Sequence, residues 1–209
     1  ARSGSRCDCD SGDSQTVLMH GLYAITDASV MDPEVLYRQV RECIDGGASY
    51  IQFRHKNPDI ELKHALADAV KEACRNQATP FLINDDPELA LNIGSAGVHL
   101  GQSDGSLTDS RIILGKSAII GRTCHDSTAL MEKAVTDGAS YCALGRLFQS
   151  QTKPNAPVIS LDVLSQLARQ CTIPIVAIGG ITCDNGRAVL DTGVAMLAVC
   201  GAIFHKRDI

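Results

Sequence analysis

The sequence predicts an α/β protein built as a single (β/α)8 barrel (TIM barrel) whose eighth helix is short or missing. Three observations predict this fold: eight short apolar runs, helical periodicity between them, and an internal repeat. The runs lie at 21–26, 50–54, 81–84, 97–100, 119–123, 141–145, 175–178 and 196–199. Apolar strands that alternate with helices are typical of a parallel sheet covered by helices on its faces.

The segments between the runs carry signals of helix formation. Start signals stand before the first two helices, at Asp32-Pro33 and at Pro58-Asp59, because Asp caps a helix and Pro fits its first turn. One face of the second helix is apolar, with Leu62, Leu66, Ala69, Val70 and Ala73 at helical spacing. This pattern predicts an amphipathic helix that packs on the sheet.

The internal repeat separates a closed barrel from an open sheet. Residues 44–50 reappear at 136–141 as Asp-Gly-Ala-Ser-Tyr, and weaker copies lie at 92–98 and 191–196. Each copy places a glycine between a helix end and an even-numbered strand, where a positive φ is needed. The copies lie roughly 45 to 55 residues apart, about two strand–helix units. An open doubly wound sheet is the alternative, but it does not predict this recurrence.

The length of 209 residues constrains how the barrel ends. Residues 1–15 are polar and rich in Asp and Ser, and we expect a flexible leader or a cloning remnant over residues 1–19. Residues 20–209 then hold the barrel. Because such barrels usually need about 250 residues and rarely fewer than about 200, the eighth helix is predicted to be short or missing.

Composition restricts the partners of the protein. Nineteen Lys and Arg against 24 Asp and Glu give a net charge of −5, which is no electrostatic footprint for nucleic acid. The longest apolar run, 193–204, is too short to span a bilayer. We therefore expect a cytoplasmic protein with no nucleic acid and no membrane partner, in which a local basic cluster could still bind a small phosphate. A homo-oligomer is compatible with the sequence.

The nine cysteines do not form a disulfide framework in this prediction. Seven are dispersed through apolar segments and no C-x-x-C pair exists. Disulfide frameworks belong to short secreted chains, so these residues are expected to be small buried thiols in a reducing compartment. Cys7 and Cys9 lie in the leader. They are expected to belong to a flexible segment, and the alternative interpretation is that they bind a soft metal.

Charged side chains follow the predicted strands at the end where barrel active sites lie. Asp85 follows strand three and Asp104 follows strand four, and carboxylates are suitable ligands for Mg²⁺. Arg54 and Lys56 follow strand two, and Lys153 follows strand six. A magnesium ion together with these three cationic side chains predicts a highly anionic ligand, and a diphosphate has the required charge.

Glycines after strands seven and eight predict a second phosphate site. Gly179-Gly180 and Cys200-Gly201-Ala202 offer backbone N–H groups where many barrels bind a phosphate monoester. Each feature also has a purely structural interpretation. A glycine pair after a strand makes a tight turn, and an aspartate in a loop caps a helix, as is expected of Asp86 before Pro87.

Seven segments in this order resemble the thiamine phosphate synthase family, and the resemblance covers residues 21 to about 204. They are residues 21–27, Gln52-x-Arg54-x-Lys56, Leu82-Ile83-Asn84-Asp85, Gly97-Val98-His99-Leu100-Gly101-Gln102-x-Asp104, Ile119-Ile120-Gly121 with His125, Thr152-Lys153-Pro154 and Ala177-Ile178-Gly179-Gly180-Ile181-Thr182. The resemblance implies a (β/α)8 transferase. It would join 4-amino-5-hydroxymethyl-2-methylpyrimidine diphosphate to thiazole phosphate, giving thiamine phosphate and pyrophosphate with the help of Mg²⁺.

The resemblance also implies roles for individual residues. Asp85 and Asp104 would hold Mg²⁺. The pyrimidine diphosphate would contact Gln52, Arg54, Lys56, Asn84, Thr123 and Lys153, of which Arg54, Lys56, Thr123 and Lys153 would act in catalysis. The thiazole phosphate would contact Ser150, Gln151, Thr152, Gly180, Cys200 and Gly201.

The sequence departs from the family pattern at three positions. His55 stands where an acidic residue is usual, Arg146 where many members carry Pro, and Gly201 where Ser is common. His125 leaves two alternatives open. It is either a structural histidine or the proton-transfer residue of a thiazole tautomerase, a related family. A non-catalytic binder of phosphate ligands is a third interpretation.

Overall fold

The computed structural model describes residues 19–27, 29–56, 58–149 and 158–205. Its centre is a closed barrel of parallel strands that pair in chain order, with the last strand pairing with the first. The strands are β1 (Gly21–Ile25), β2 (Ala48–Phe53), β3 (Phe81–Asn84), β4 (Gly97–Leu100), β5 (Ile119–His125), β6 (Tyr141–Leu144), β7 (Ile175–Ile178) and β8 (Met196–Val199). The predicted barrel and its eight strands are confirmed.

A helix follows each strand. The helices are α1 (Pro33–Asp45), α2 (Ile60–Arg75), α3 (Pro87–Ile93), α4 (Leu107–Leu114), α5 (Thr128–Thr136), α6 (Leu161–Gln170), α7 (Gly186–Leu190) and α8 (Gly201–Phe204). The last helix has only four residues, which confirms the predicted short eighth helix.

Strand β5 extends two residues beyond its predicted end at Thr123. The pairing register between β5 and β6 shifts between Thr123 and His125, so an extra residue fits into β5 while its pairing with β6 continues. Cys124, the extra residue, is buried against the helix layer. The bulge therefore brings His125 into the strand end and leaves Thr123 beside the barrel interior.

Strict alternation along the strands makes two separate cores. One fills the space between strands and helices, and the other fills the barrel interior. The interior cluster consists of Met19, Tyr23, Ile25, Tyr50, Leu82, Tyr141, Ala143, Val176, Met196 and Ala198. This cluster contains Tyr23, Tyr50 and Tyr141, whose hydroxyl groups need partners when buried.

Local capping explains the helix boundaries that the sequence predicts. The Asp32 side chain accepts from the N–H groups of Glu34 and Val35, and that of Asp59 accepts from Leu62. The repeat glycines that lie between a helix end and the following strand have positive φ angles: Gly47 (+99°), Gly94 (+69°), Gly138 (+84°) and Gly193 (+92°). Each turn thus has the backbone conformation that the repeat predicts.

The seven cysteines of the described residues are free thiols. Cys43, Cys74, Cys124 and Cys142 are buried, whereas Cys183 is exposed. Cys7 and Cys9 lie outside the described residues. Within the described part of the chain, no helix has the length and apolar character needed to cross a membrane.

Candidate active site

Two carboxylates meet at the carboxyl end of the barrel. Asp85 directly follows β3, and its N–H donates to the His99 carbonyl on β4 over 2.8 Å. Asp104 lies in the loop after β4, where its Oδ2 accepts from the Gly101 N–H over 2.9 Å. A Cβ atom on Gly101 would overlap this carboxylate oxygen. The glycine therefore allows the loop to fold back and aim Asp104 at Asp85.

Electrostatics at this pair favour a bound cation. Burial raises the pKa of the Asp85 carboxyl above its ordinary value, and the hydrogen bond and charge of Asp104 raise that pKa further. Lys56 and Asn84 act on it in the opposite direction. Two carboxyl groups in contact repel each other when both are ionised, and a divalent cation between them relieves that repulsion.

The donor set also fits the chemistry of magnesium. Within the described residues, no group of three or more His, Cys, Asp or Glu side chains could enclose a metal ion. Mg²⁺ does not need such a cage, because it commonly takes one or two carboxylates and fills its other positions with water and substrate phosphate. Asp85 and Asp104 meet that requirement.

The two cations after β2 face different parts of the rim. The strand ends at Phe53, and a hydrogen bond of 2.9 Å from the Arg54 N–H to the Thr26 hydroxyl ties the following segment to β1. Arg54 acts electrostatically on Cys200, whereas Lys56 acts on Asp85. Lys56 therefore lies close enough to the carboxylate pair for its charge to act on Asp85, and Arg54 close enough to Cys200, at the end of β8, to act on that thiol.

The segment after β6 packs over the glycine pair after β7. The Leu147 N–H donates to the Ile178 carbonyl and the Phe148 N–H donates to the Gly179 carbonyl. A Cβ atom on Gly180 would lie 2.7 Å from the Phe148 Cβ. Only glycine lets these two backbone segments approach so closely, and the Gly180 backbone stays beside the rim.

The short helix α8 is attached at both ends. At its start, the Cys200 Sγ donates to the Thr26 carbonyl oxygen over 3.9 Å. Burial raises the pKa of this thiol to about 11, so it is neutral near pH 7 and does not repel an anion. At its end, the His205 Nε2 lies 2.6 Å from the Asp27 Oδ2 in the segment after β1. Gly201 is the first residue of α8, so its N–H has no acceptor in the helix.

Gln52 and Thr123 lie at two ends of a buried hydrogen-bonded network. The Gln52 Nε2 donates to the Tyr23 hydroxyl over 2.9 Å, and the Thr123 Oγ1 lies 2.8 Å from the His99 Nε2. The residues between these two ends are Tyr23, Tyr141 and His99, and the sequence did not indicate a role for any of them. The sequence did contain a signal for them, because these polar side chains occupy strand positions that the alternation of side chains turns towards the barrel interior.

Several predicted site residues cannot be placed relative to this rim. Ser150, Gln151, Thr152 and Lys153 lie outside the described residues, so their roles remain predictions.

His125 ends β5 with a φ of +55° and is partly exposed. Its carbonyl accepts from the Gly145 N–H over 3.2 Å, a contact that uses the backbone and gives the imidazole no role.

Fold and site together define a class of protein: a (β/α)8-barrel protein whose carboxyl-end rim pairs two carboxylates with nearby cations to receive an anionic ligand. Comparison with known proteins narrows this class. The family model described as thiamine monophosphate synthase matches residues 22–203. The chain therefore belongs to the thiamine monophosphate synthase family, and it is an enzyme.

Individual relatives agree with this family. The chain is 44% identical to the thiamine-phosphate synthase of Saccharophagus degradans over 191 residues, covering 91% of this chain and 88% of that protein. It is also 44% identical to that of Marinobacter nauticus over 193 residues, covering 92% and 86%. The solved thiamine phosphate pyrophosphorylase of Pyrococcus furiosus superposes with a TM-score of 0.81 at 33% identity, covering 92% and 91%.

Proposed function

We propose that this chain is a transferase that joins 4-amino-5-hydroxymethyl-2-methylpyrimidine diphosphate to thiazole phosphate, forming thiamine phosphate and pyrophosphate. The observation that carries the proposal is the contact between Asp85 and Asp104, which follow the neighbouring strands β3 and β4, within reach of the charge of Lys56. This arrangement suits a metal-bound diphosphate. The 44% identical relatives are thiamine-phosphate synthases, which supports the choice of substrates.

The first step of the proposed reaction is departure of the diphosphate. The bond between the pyrimidine methylene carbon and the diphosphate oxygen breaks, and its electron pair leaves with pyrophosphate. Arg54 and Lys56 supply positive charge where negative charge accumulates, and Lys153 is proposed to do the same. Stabilising developing charge in a preorganised site is usually the largest catalytic contribution.

The Mg²⁺ site is proposed to consist of Asp85 and Asp104. When bound, Mg²⁺ would neutralise charge on the diphosphate oxygens and so assist its departure. Asn84 interacts with the Asp85 side chain, and Gly101 holds the Asp104 carboxylate through its N–H. These two contacts orient the carboxylates, while the remaining oxygen of Asp104 accepts from Ser103 over 3.3 Å.

The second step joins the two halves. The methylene carbon left behind is a cation that the amino group of the pyrimidine delocalises, and the thiazole nitrogen uses its lone pair to form the new C–N bond. Thiazole phosphate is proposed to be held by Ser150, Gln151 and Thr152 and by the backbone N–H groups of Gly180, Cys200 and Gly201. Holding both reactants in one site removes much of the entropic cost of their encounter.

No protein nucleophile is needed for this chemistry, because the attacking group is the thiazole nitrogen of the substrate. The Cys200 thiol is neutral near pH 7 because burial raises its pKa to about 11, so it does not compete with the thiazole nitrogen. Gln52 and Thr123 are proposed to contact the pyrimidine ring.

The decisive experiment supplies both substrates with Mg²⁺ and measures thiamine phosphate and pyrophosphate. We expect product from the wild type and a fall in kcat/KM of at least about 100-fold in Asp104→Asn, because one metal ligand loses its charge. Asp68→Asn, an exposed position of α2, is the matched control and should keep full activity.

Two other outcomes would favour the alternatives. Isomerisation of a carboxylated thiazole phosphate without any thiamine phosphate would identify a tautomerase that uses His125. Binding of the phosphate substrates without turnover would identify a non-catalytic binder. Release of pyrophosphate that depends on Mg²⁺ contradicts both.

The proposed partners are small phosphate and diphosphate substrates, without nucleic acid, and we propose the cytoplasm as the location. Free thiols support that location, because the exposed Cys183 would be oxidised more readily outside a reducing compartment. A homo-oligomer remains part of the proposal, and light scattering of the purified chain measures it.

A further inference from the structure

A continuous chain of side-chain hydrogen bonds crosses the barrel interior. It runs from Gln52 through Tyr23 (2.9 Å) to Tyr141 (3.1 Å), then to His99 Nδ1 (2.8 Å), and from His99 Nε2 to the Thr123 Oγ1 (2.8 Å). We call these five residues the core hydrogen-bond chain. Gln52 and Thr123, its two ends, are the residues proposed above to contact the pyrimidine.

The donors along the core hydrogen-bond chain can be assigned by counting hydrogens. The Gln52 amide nitrogen donates to the Tyr23 oxygen, and the Tyr141 oxygen is the other partner recorded for that hydroxyl among the described residues. The Tyr23 hydrogen is therefore satisfied only when it is directed to the Tyr141 oxygen. The hydrogen of Tyr141 is then directed to the His99 Nδ1, which must be unprotonated to accept it. The proton of a neutral His99 consequently lies on Nε2.

This count requires both tyrosines to keep their hydroxyl hydrogens. Burial raises the pKa of the Tyr23 hydroxyl well above its ordinary value, and it does the same for the fully buried Tyr141. Both groups therefore stay protonated at neutral pH. Each has one hydrogen to donate, so each bond in the core hydrogen-bond chain has a fixed direction.

The last bond determines what Thr123 offers to a ligand. Its oxygen accepts from the His99 Nε2–H, so its own hydroxyl hydrogen points elsewhere. Among the described residues, the structure records no acceptor for that hydrogen. At the other end, the core hydrogen-bond chain uses one N–H of Gln52 and leaves the amide carbonyl oxygen outside the chain.

We infer that His99 is a positioning residue: as the Nε2–H tautomer, it makes the Thr123 hydroxyl a hydrogen-bond donor towards an acceptor ring nitrogen of the heteroaromatic substrate. This inference rests on the proposed function for the identity of the ring, but the tautomer of His99 does not. The reverse direction of the core hydrogen-bond chain would turn Thr123 into an acceptor, which a ring nitrogen with a lone pair does not match.

The first test uses the wild-type chain without substrate. Long-range ¹H–¹⁵N spectra of the protein labelled at its six histidines report which ring nitrogen of each carries the proton, and His99→Gln assigns the His99 signals. We expect an unprotonated Nδ1 and a protonated Nε2 at a pH where imidazole is neutral. A proton on Nδ1, alone or together with one on Nε2, overturns the inference.

The second test compares two amide replacements of His99. The side chain of His99→Gln can place its amide N–H near the Nε2 position and donate to Thr123, whereas the shorter His99→Asn reaches only the Nδ1 position. We expect His99→Asn to raise the KM for the pyrimidine diphosphate about tenfold, with the KM for thiazole phosphate unchanged, and His99→Gln to recover most of the loss. His64→Asn, exposed on α2, is the matched control.

The outcomes separate this inference from the proposed function. A wild type that makes no thiamine phosphate contradicts the function and leaves the tautomer measurement intact. An active wild type with His99 protonated on Nδ1 contradicts the inference alone. Lower melting temperatures in both variants, with unchanged kinetics of the folded protein, would show a purely structural role for His99 and would also overturn it.

Discussion

Gly121 and Tyr141 lie directly opposite each other on β5 and β6, and the Tyr141 ring occupies the space that a side chain on Gly121 would need. A Cβ atom at this position would overlap the ring at Cζ and at the hydroxyl oxygen. The hydroxyl that joins Tyr23 to His99 therefore sits where it does because a neighbouring residue has no side chain.

Replacing this glycine should disturb the barrel interior. We expect Gly121→Ala to lower the free energy of unfolding by about 1–3 kcal/mol, because the fully buried Tyr141 ring has to move in a well-packed core. Denaturant unfolding measures the change. Gly46→Ala, where φ is −77° and the nearest atom to the new Cβ is 3.3 Å away, should cost much less. Equal costs for the two variants would contradict the packing argument.

Metal removal should stop the proposed reaction. We expect excess EDTA to abolish turnover and added Mg²⁺ to restore it, because Asp85 and Asp104 are proposed to hold the ion. Asp85→Asn should raise the Mg²⁺ concentration for half-maximal activity by about 10–100-fold or more, since the carboxylate pair loses one charge. Asp109→Asn, exposed in the first turn of α4, should leave it unchanged. Full activity in EDTA would rule out the proposed site.

Acid should weaken the attachment of α8. Partial burial acts to raise the pKa of the Asp27 carboxyl, but hydrogen bonds from Ser29 (3.0 and 2.8 Å) and the nearby His205 outweigh it and leave that pKa below its ordinary value. Asp27 therefore stabilises the fold above the pKa of an unfolded aspartate, about 3.9. This stabilisation is lost as the pH falls through the lower folded pKa.

Asp27→Asn should remove this pH-dependent contribution. Its free energy of unfolding should lie below the wild-type value above about pH 4, and the two curves should converge in stronger acid. Denaturant unfolding measured from acid to neutral pH, with Asp68→Asn as the control, checks the direction of the shift in the Asp27 pKa. A variant that is more stable than the wild type above about pH 4 would show that the folded pKa of Asp27 is raised instead.

The thiols should differ in their rates of alkylation. Burial raises the pKa of Cys43 and of Cys74 to about 12, and that of Cys200 to about 11. Since the thiolate is the reactive form, we expect these three residues to react with iodoacetamide at least about tenfold more slowly than the exposed Cys183. Mass spectrometry of each peptide measures the rates, and similar rates are expected in denaturant. Comparable rates in the folded chain would contradict the burial of Cys200.

The architecture was predictable because it is encoded in short stretches. Strands β3, β4, β7 and β8 have their predicted bounds, since an apolar run ended by a polar residue or glycine is a local signal. The Asp86 side chain accepts from the Leu89 N–H over 2.9 Å, so its predicted role as a helix cap is confirmed. The continuation of β5 to His125 was not predictable, because a bulge depends on pairing with another strand.

The candidate site was predictable in part. Carboxylates that follow β3 and β4 lie at the same end of neighbouring strands, so the sequence indicated that Asp85 and Asp104 share one part of the rim. The fold-back at Gly101 that brings them into contact was not indicated. It also indicated that Arg54 and Lys56 share the rim, but not that Lys56 acts on Asp85 while Arg54 acts on Cys200. Which group each cation acts on depends on the side-chain conformations of Arg54 and Lys56, which lie beyond the end of β2.

The sequence by itself determined the barrel and the rim that carries the charged groups, because apolar runs and helical periodicity act over a few residues. Only the tertiary structure decided how Tyr23, Tyr141 and His99 connect. Tyr23 and Tyr141 are separated by 118 residues yet lie 3.1 Å apart at their hydroxyl oxygens, and no local pattern specifies a contact across a closed barrel. Barrel closure brings the two strands opposite each other, and packing around Gly121 places the hydroxyl that completes the contact.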